Sequence, residues 1–132
     1  MKTKKLFNTS AYKTSRILER VLRETGCRVY PELALSLVLD VDGDALSRQE
    51  RNTLNTGSFD FVVYNKESFP EFAVEFDGPD HQMYEKTKRA DIRKNLLCCK
   101  AALYSLRLLQ NRLDKVPVNW FRATSIMVSS LK

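Results

Sequence analysis

SFDFVVYNKESFPEFAVEFD, residues 58–77, decides the fold. Phe59, Phe61 and Val63 alternate with Asp60, Val62 and Tyr64, the two-residue period of a strand. Phe72, Val74 and Phe76 then share one face, and Ala73, Glu75 and Asp77 the opposite one. Residues 65–71 lie between the two runs, contain Pro70, and read as a hairpin loop. If the loop midpoint falls at Glu67 and Ser68, Asp60 stands beside Glu75. Gly78 and Pro79 end the second strand.

Helical patterns flank this hairpin. Ile17, Leu18, Val21 and Leu22 predict a helix over residues 14–25, with Ser10 or Thr14 as N-cap and Gly26 as stop. Pro31 excludes a continuous helix over residues 29–39, and the alternating Leu33, Leu35, Leu37 and Leu39 predict a strand there. Asp40, Asp42 and Asp44 then make an acidic turn. The polar residues 45–57 fit either a short helix or a connection. Residues 81–103 turn helical in their later part, with Ile92, Leu96, Cys99 and Leu103 as one apolar stripe and Arg89, Arg93 and Lys100 at its edge. Residues 104–109 form a further strand with Ser105 and Arg107 on its polar face. Pro117 opens a final helix that packs through Trp120, Met127 and Leu131. This order of elements predicts an α/β fold, a mixed sheet between helices.

The chain has 132 residues, enough for one domain. Hydrophobic residues are 43% and charged residues 29%, the balance of a soluble globular protein. No run approaches the roughly 20 apolar residues of a membrane span. Residues 1–12 are basic without an apolar stretch behind them and do not read as a secretory leader. Three cysteines, Cys27, Cys98 and Cys99, give neither a disulfide framework nor a zinc motif; they read as small core residues in a reducing cytoplasm.

Charge falls in blocks. Residues 1–28 carry eight basic and two acidic side chains, residues 29–85 three and twelve, and residues 86–122 ten and two. Basic flanks suit a polyanion. An acidic centre within such a surface repels phosphate unless a divalent cation stands between them. Glu75 and Asp77 project from one face roughly 7 Å apart, and Asp60 beside Glu75 makes three carboxylates at one end of the sheet. Like charges this close raise one another's pKa, and a hard cation removes the repulsion. Acid pairs on a solvated strand face are common, so the pattern by itself fits a metal site and a plain polar surface equally. No G-x-S-x-G turn surrounds a nucleophile and no glycine-rich phosphate loop occurs.

The combination of Phe59-Asp60-Phe61-Val62-Val63, Val74-Glu75-Phe76-Asp77-Gly78-x-x-His81, Arg89-x-Asp91-x-x-Lys94 and the strand Leu106-Arg107-Leu108 resembles the PD-(D/E)xK nuclease superfamily. The nearest branch is that of very-short-patch-repair-type endonucleases, and the resemblance spans residues 14–109. It implies a single nuclease-like domain over residues 1–132 with a restriction-endonuclease-like core. It also implies Mg²⁺ or Mn²⁺ held by Asp60, Glu75 and the carbonyl of Phe76. Asp77 stands where many members carry lysine, so the cation beside the attacking water falls to Lys94, or to Lys88. His81 is either a general base or phosphate donor, or a turn histidine capping the next helix. Related domains place a glutamate early in the first helix; the equivalent position here is Ser15, and Glu19 one turn later is the substitute. The expected activity is metal-dependent hydrolysis of phosphodiester bonds in DNA, with Arg16, Arg20, Lys88, Arg89 and Arg93 on the backbone. The alternative is a weakly active or inactive module of the same fold that binds nucleic acid or a protein partner. Expected partners are DNA or RNA, no membrane, and either a second copy of the chain or a larger nucleic-acid-processing complex.

Overall fold

The computed structural model describes residue 2 and residues 9–77 and 85–109. Four strands form one sheet in the order β1-β2-β3-β4. They are β1 (Arg28–Ala34), β2 (Ser58–Tyr64), β3 (Pro70–Asp77) and β4 (Tyr104–Leu109). β1 pairs antiparallel with β2, and β2 with β3, while β4 lies parallel to β3. A parallel neighbour needs a crossover, and helix α4 (Glu85–Lys100) lies in that connection. The expected α/β fold with a mixed sheet and flanking helices is present. No described helix is long and apolar enough to cross a membrane.

The hairpin follows the alternation from Phe61 onward, but Phe59, expected on the face of Phe61 and Val63, packs in the opposite core with Val62 and Ala73. The expected loop over residues 65–71 is shorter because β3 already begins at Pro70. Phe61 pairs with Val74, Val62 with Ala73 and Val63 with Phe72. The turn is built by Asn65, whose side-chain oxygen accepts from the backbone N–H groups of Glu67 and Phe69, each at 3.0 Å. Alternate residues then serve two cores on opposite faces of the sheet. On one face Phe61, Val63, Phe72 and Val74 meet Leu18, Val21 and Leu22 of α1 (Thr9–Leu22). On the other, Val62 and Ala73 meet Leu97 and Cys98 of α4, with Leu35 and Leu39.

Three elements depart from the sequence reading. Helix α1 begins at Thr9, so neither Ser10 nor Thr14 caps it, and Thr14 is buried within it. Its end does match: a 3₁₀ turn (Arg23–Thr25) runs into Gly26 at φ +76°. The strand expected through residue 39 stops at Ala34, and Leu35–Val38 form a short helix, α2. Leucine every second residue is also leucine every fourth. Leu35 and Leu39 share the buried side of a helical turn while Leu37 is 70% exposed. The Leu35 N–H donates to Gly57 (3.0 Å) and the Leu39 N–H to Leu35 (2.8 Å), anchoring that turn. Pro31 sits in β1, an edge strand, where a missing N–H is tolerated.

The polar segment contains α3 (Arg48–Thr56), capped by the Ser47 hydroxyl, which accepts from the Glu50 N–H at 3.1 Å. Helix α4 is rotated from the expected stripe. Leu97 and Cys98 are buried, but Ile92 and Leu96 are 58% and 50% exposed and Cys99 is exposed. Polar anchors explain this rotation. Arg93 Nε donates to Thr53 Oγ1 (3.1 Å) and Lys100 Nζ to Glu50 Oε2 (2.7 Å), both on α3. Leu103 is buried as expected, but in the turn after the helix. All three cysteines are free, and Cys98 alone among them is fully in the core. The final helix expected after Pro117 lies outside the described residues.

Candidate carboxylate–lysine site

The β2–β3 register carries the chemistry. One step beyond the Phe61–Val74 pair, Asp60 of β2 stands beside Glu75 of β3. In the parallel pair, Glu75 is in register with Arg107 of β4. A row of charge therefore crosses three strands at the sheet face covered by α4. That helix contributes Lys94, whose Nζ donates to Glu75 Oε1 at 2.8 Å and to the Ser58 carbonyl at 2.6 Å. The same ammonium lies 5.7 Å from the centroid of the Phe59 ring. Arg107 reaches Asp91 Oδ2 at 3.5 Å and donates to Asn95 Oδ1 at 3.1 Å. The helical spacing of Asp91, Lys94 and Asn95 puts all three on the side that meets the strands.

Glu75 is only 5% exposed. Burial pushes its carboxyl up to about 7; the Lys94 ammonium opposes the rise, and the neighbouring Asp60 carboxyl adds to it. Cys98, also in this cluster, is pushed up to about 11 by burial and then by the Glu75 charge. It stays a thiol at neutral pH and is not an activated nucleophile.

The expected site residues divide into those brought together and those not. Asp60, Glu75 and Lys94 converge. Asp77 ends β3 in register with Leu109, and Phe76 is in register with Leu108. The side chains of Asp77 and Lys88, and all of His81, lie outside the described residues. Glu19 is exposed on α1, which packs on the other sheet face, and it is not among the groups acting on Glu75. Arg16 and Arg20 are likewise exposed on α1, whereas Arg89 and Arg93 belong to α4. Arg16 and Arg20 thus belong to a helix on one face of the sheet, and Arg89 and Arg93 to a helix on the other. Arg93, moreover, is bonded to α3. Arg107 is the participant that alternation left without a partner: its polar face was legible, but its place beside Glu75 depends on a parallel register that no local pattern encodes.

Among the described residues, no three Asp, Glu, His or Cys side chains cluster closely enough to hold a metal ion. Two hard carboxylates do meet, and Mg²⁺ ordinarily takes one or two from a protein, keeping water or phosphate in its remaining positions. The Asp60–Glu75 pair is chemically suited to that role. No curated protein and no solved structure matches the chain. A family profile matches residues 3–117, most of the sequence, and on that coverage the chain belongs to the family described as protein of unknown function, DUF2726.

Proposed function

We propose that Asp60 and Glu75 hold Mg²⁺ or Mn²⁺ and that the chain hydrolyses phosphodiester bonds in DNA, on a restriction-endonuclease-like core. The observation that supports this reading is the meeting of Asp60, Glu75 and Lys94 from three separate elements at a nearly buried point. Burying two acids beside each other costs stability unless a cation answers them. The bound ion supplies polarisation of a phosphoryl oxygen and acidification of water. Lys94 supplies the second positive charge, taking the place of the lysine that Asp77 replaces. Held by Ser58 and Glu75, its ammonium is preorganised to orient a water and to meet negative charge developing on the phosphoryl group. Arg89 and Lys88 on the same helix engage the DNA backbone without reading sequence. Arg107, beside Glu75, steadies Asp91 and Asn95 and so fixes the helix that carries Lys94.

Supercoiled plasmid with Mn²⁺ tests the reading. The parent chain nicks it, Asp60→Ala and Glu75→Ala abolish nicking, and Lys94→Met lowers its rate. Cleavage by the double carboxylate variant at the parent rate refutes the assignment.

A second reading is favoured by the Lys94 clasp itself. With one ammonium bound to both Ser58 and Glu75, the pair also suits a structural bridge in a module that binds nucleic acid or a protein without cutting. The two readings separate on metal. Mn²⁺ raises the melting temperature of the parent but not of Asp60→Ala under the first, and of neither under the second.

A further inference from the structure

The far end of the same hairpin carries a concavity of about 630 Å³, within the usual range for small-molecule sites. It lies between the start of β1 and the β2–β3 turn. Arg28 pairs directly with Tyr64 across the strands, and Tyr30 follows two residues on, so all three lie close together. The Tyr30 and Tyr64 rings meet edge to face, with centroids 5.5 Å apart at 85°. Tyr30 remains 41% exposed beside the exposed Leu37, which gives a planar ring an apolar and aromatic seat.

The charge of this groove is one-sided. Arg28 and Lys66 both line it, and among the described residues no carboxylate does. Neither cation has an ion-pair partner among the described residues. Elsewhere Lys94, Lys100 and Arg107 are each paired with an acid. Lys66 is also seated by the backbone: Gly26 has φ +76°, and a Cβ there would overlap the Lys66 side chain. Glycine at this position lets the lysine stem lie directly over the backbone just before β1. Asn65, on the same wall, is committed to the turn: its oxygen accepts from Glu67 and Phe69, and its amide donates to Glu71 Oε1 at 3.1 Å.

Two unpaired cations next to an exposed aromatic ring suit a ligand that is planar at one end and anionic at the other. We propose that this groove binds a mononucleotide unit, its base against Tyr30 and Leu37 and its phosphate between Arg28 and Lys66. The unit is either a free nucleotide or one residue of a single strand, since both present the same ring and phosphate. Tyr64 stands four residues from Asp60, roughly 13 Å along the strand. The groove is therefore separate from the carboxylates, and the inference does not rest on the nuclease reading.

Calorimetric titration of the full chain in chelator tests it. The probes are AMP, adenosine, inorganic phosphate and a ten-residue oligothymidylate. AMP is expected to bind at least about tenfold more tightly than adenosine or phosphate, because each of those meets half of the groove. Arg28→Glu and Lys66→Glu, both at exposed positions, are each expected to weaken AMP about tenfold while leaving the melting temperature in place. Asp60→Asn is expected to bind AMP as the parent does. Oligothymidylate that displaces AMP and is weakened by the same two variants identifies a strand residue as the ligand. Oligothymidylate that fails to displace it identifies the free nucleotide. AMP binding no tighter than phosphate, or undiminished by both charge reversals, overturns the proposal.

Discussion

Replacing Glu75 with glutamine should remove a pH dependence that the parent chain carries. Glu75 is buried beside Asp60, and its carboxyl is carried from 4.5 to about 7 in the folded chain. Ionising it in place costs about 3 kcal/mol more than ionising it in the unfolded chain. The folded state therefore binds this proton more tightly. Its contribution to stability is full below pH 4.5 and is lost as pH rises through about 7. A loss of this size is a large share of the roughly 5–15 kcal/mol that holds an ordinary domain together. Glutamine fills the same space and cannot ionise. Urea unfolding of both chains in chelator, from pH 4 to pH 8, should show the parent losing about 3 kcal/mol relative to Glu75→Gln. Lys94→Met should extend the loss above pH 7, because the Lys94 charge opposes the rise. Saturating Mn²⁺ should shrink the parent's loss and leave the glutamine variant unchanged, since a cation favours the ionised pair. If the stability difference between parent and Glu75→Gln is flat across that range, Glu75 is not the buried, proton-binding acid described.

Other outcomes follow from the packing. Leu35→Ala should cost about 2–5 kcal/mol in urea unfolding, and Leu37→Ala less than about 0.5, because only Leu35 faces the core; equal costs would restore an extended segment there. Ser47→Ala should lose about 1 kcal/mol by leaving the Glu50 N–H without its cap, measured the same way. A thiol reagent should label Cys99 rapidly in the native chain and Cys98 only after unfolding, as mass spectrometry of the modified peptides will show.

How far the sequence carries depends on whether its signal is local. The hairpin was legible because a two-residue period admits one face assignment, and a turn with Asn65 and Pro70 fixes where it folds. From these follow the Asp60–Glu75 neighbours, which the register reproduces. Residues 33–39 misled because leucine at every second position satisfies a strand and a helical turn alike. The deciding contact, the Leu35 N–H to Gly57, spans a loop that pattern cannot see. The face of α4 was misread for a similar reason. Apolar spacing picked Ile92 and Leu96, but the rotation is set by Lys94, Arg93 and Lys100, whose partners are 19, 40 and 50 residues distant in the chain.

That rotation matters beyond the helix. Had Ile92 and Leu96 turned inward, a stretch rich in charge would still have packed on the sheet, yet Lys94 would point away from Glu75. The chain instead leaves two large apolar residues exposed and buries an ammonium against a carboxylate. Ile92 and Leu96, about half exposed, forfeit roughly half of the about 1.5–3 kcal/mol that full burial of each would give. A nearly buried ion pair does not ordinarily return so much, because desolvation consumes most of the attraction. The present rotation buries Leu97 and Cys98 in place of Ile92 and Leu96, and it sets Lys94 against Glu75. The first helix packs on the other face of the sheet, so among the described residues the positive charge beside Glu75 comes from Lys94 of α4 and Arg107 of β4.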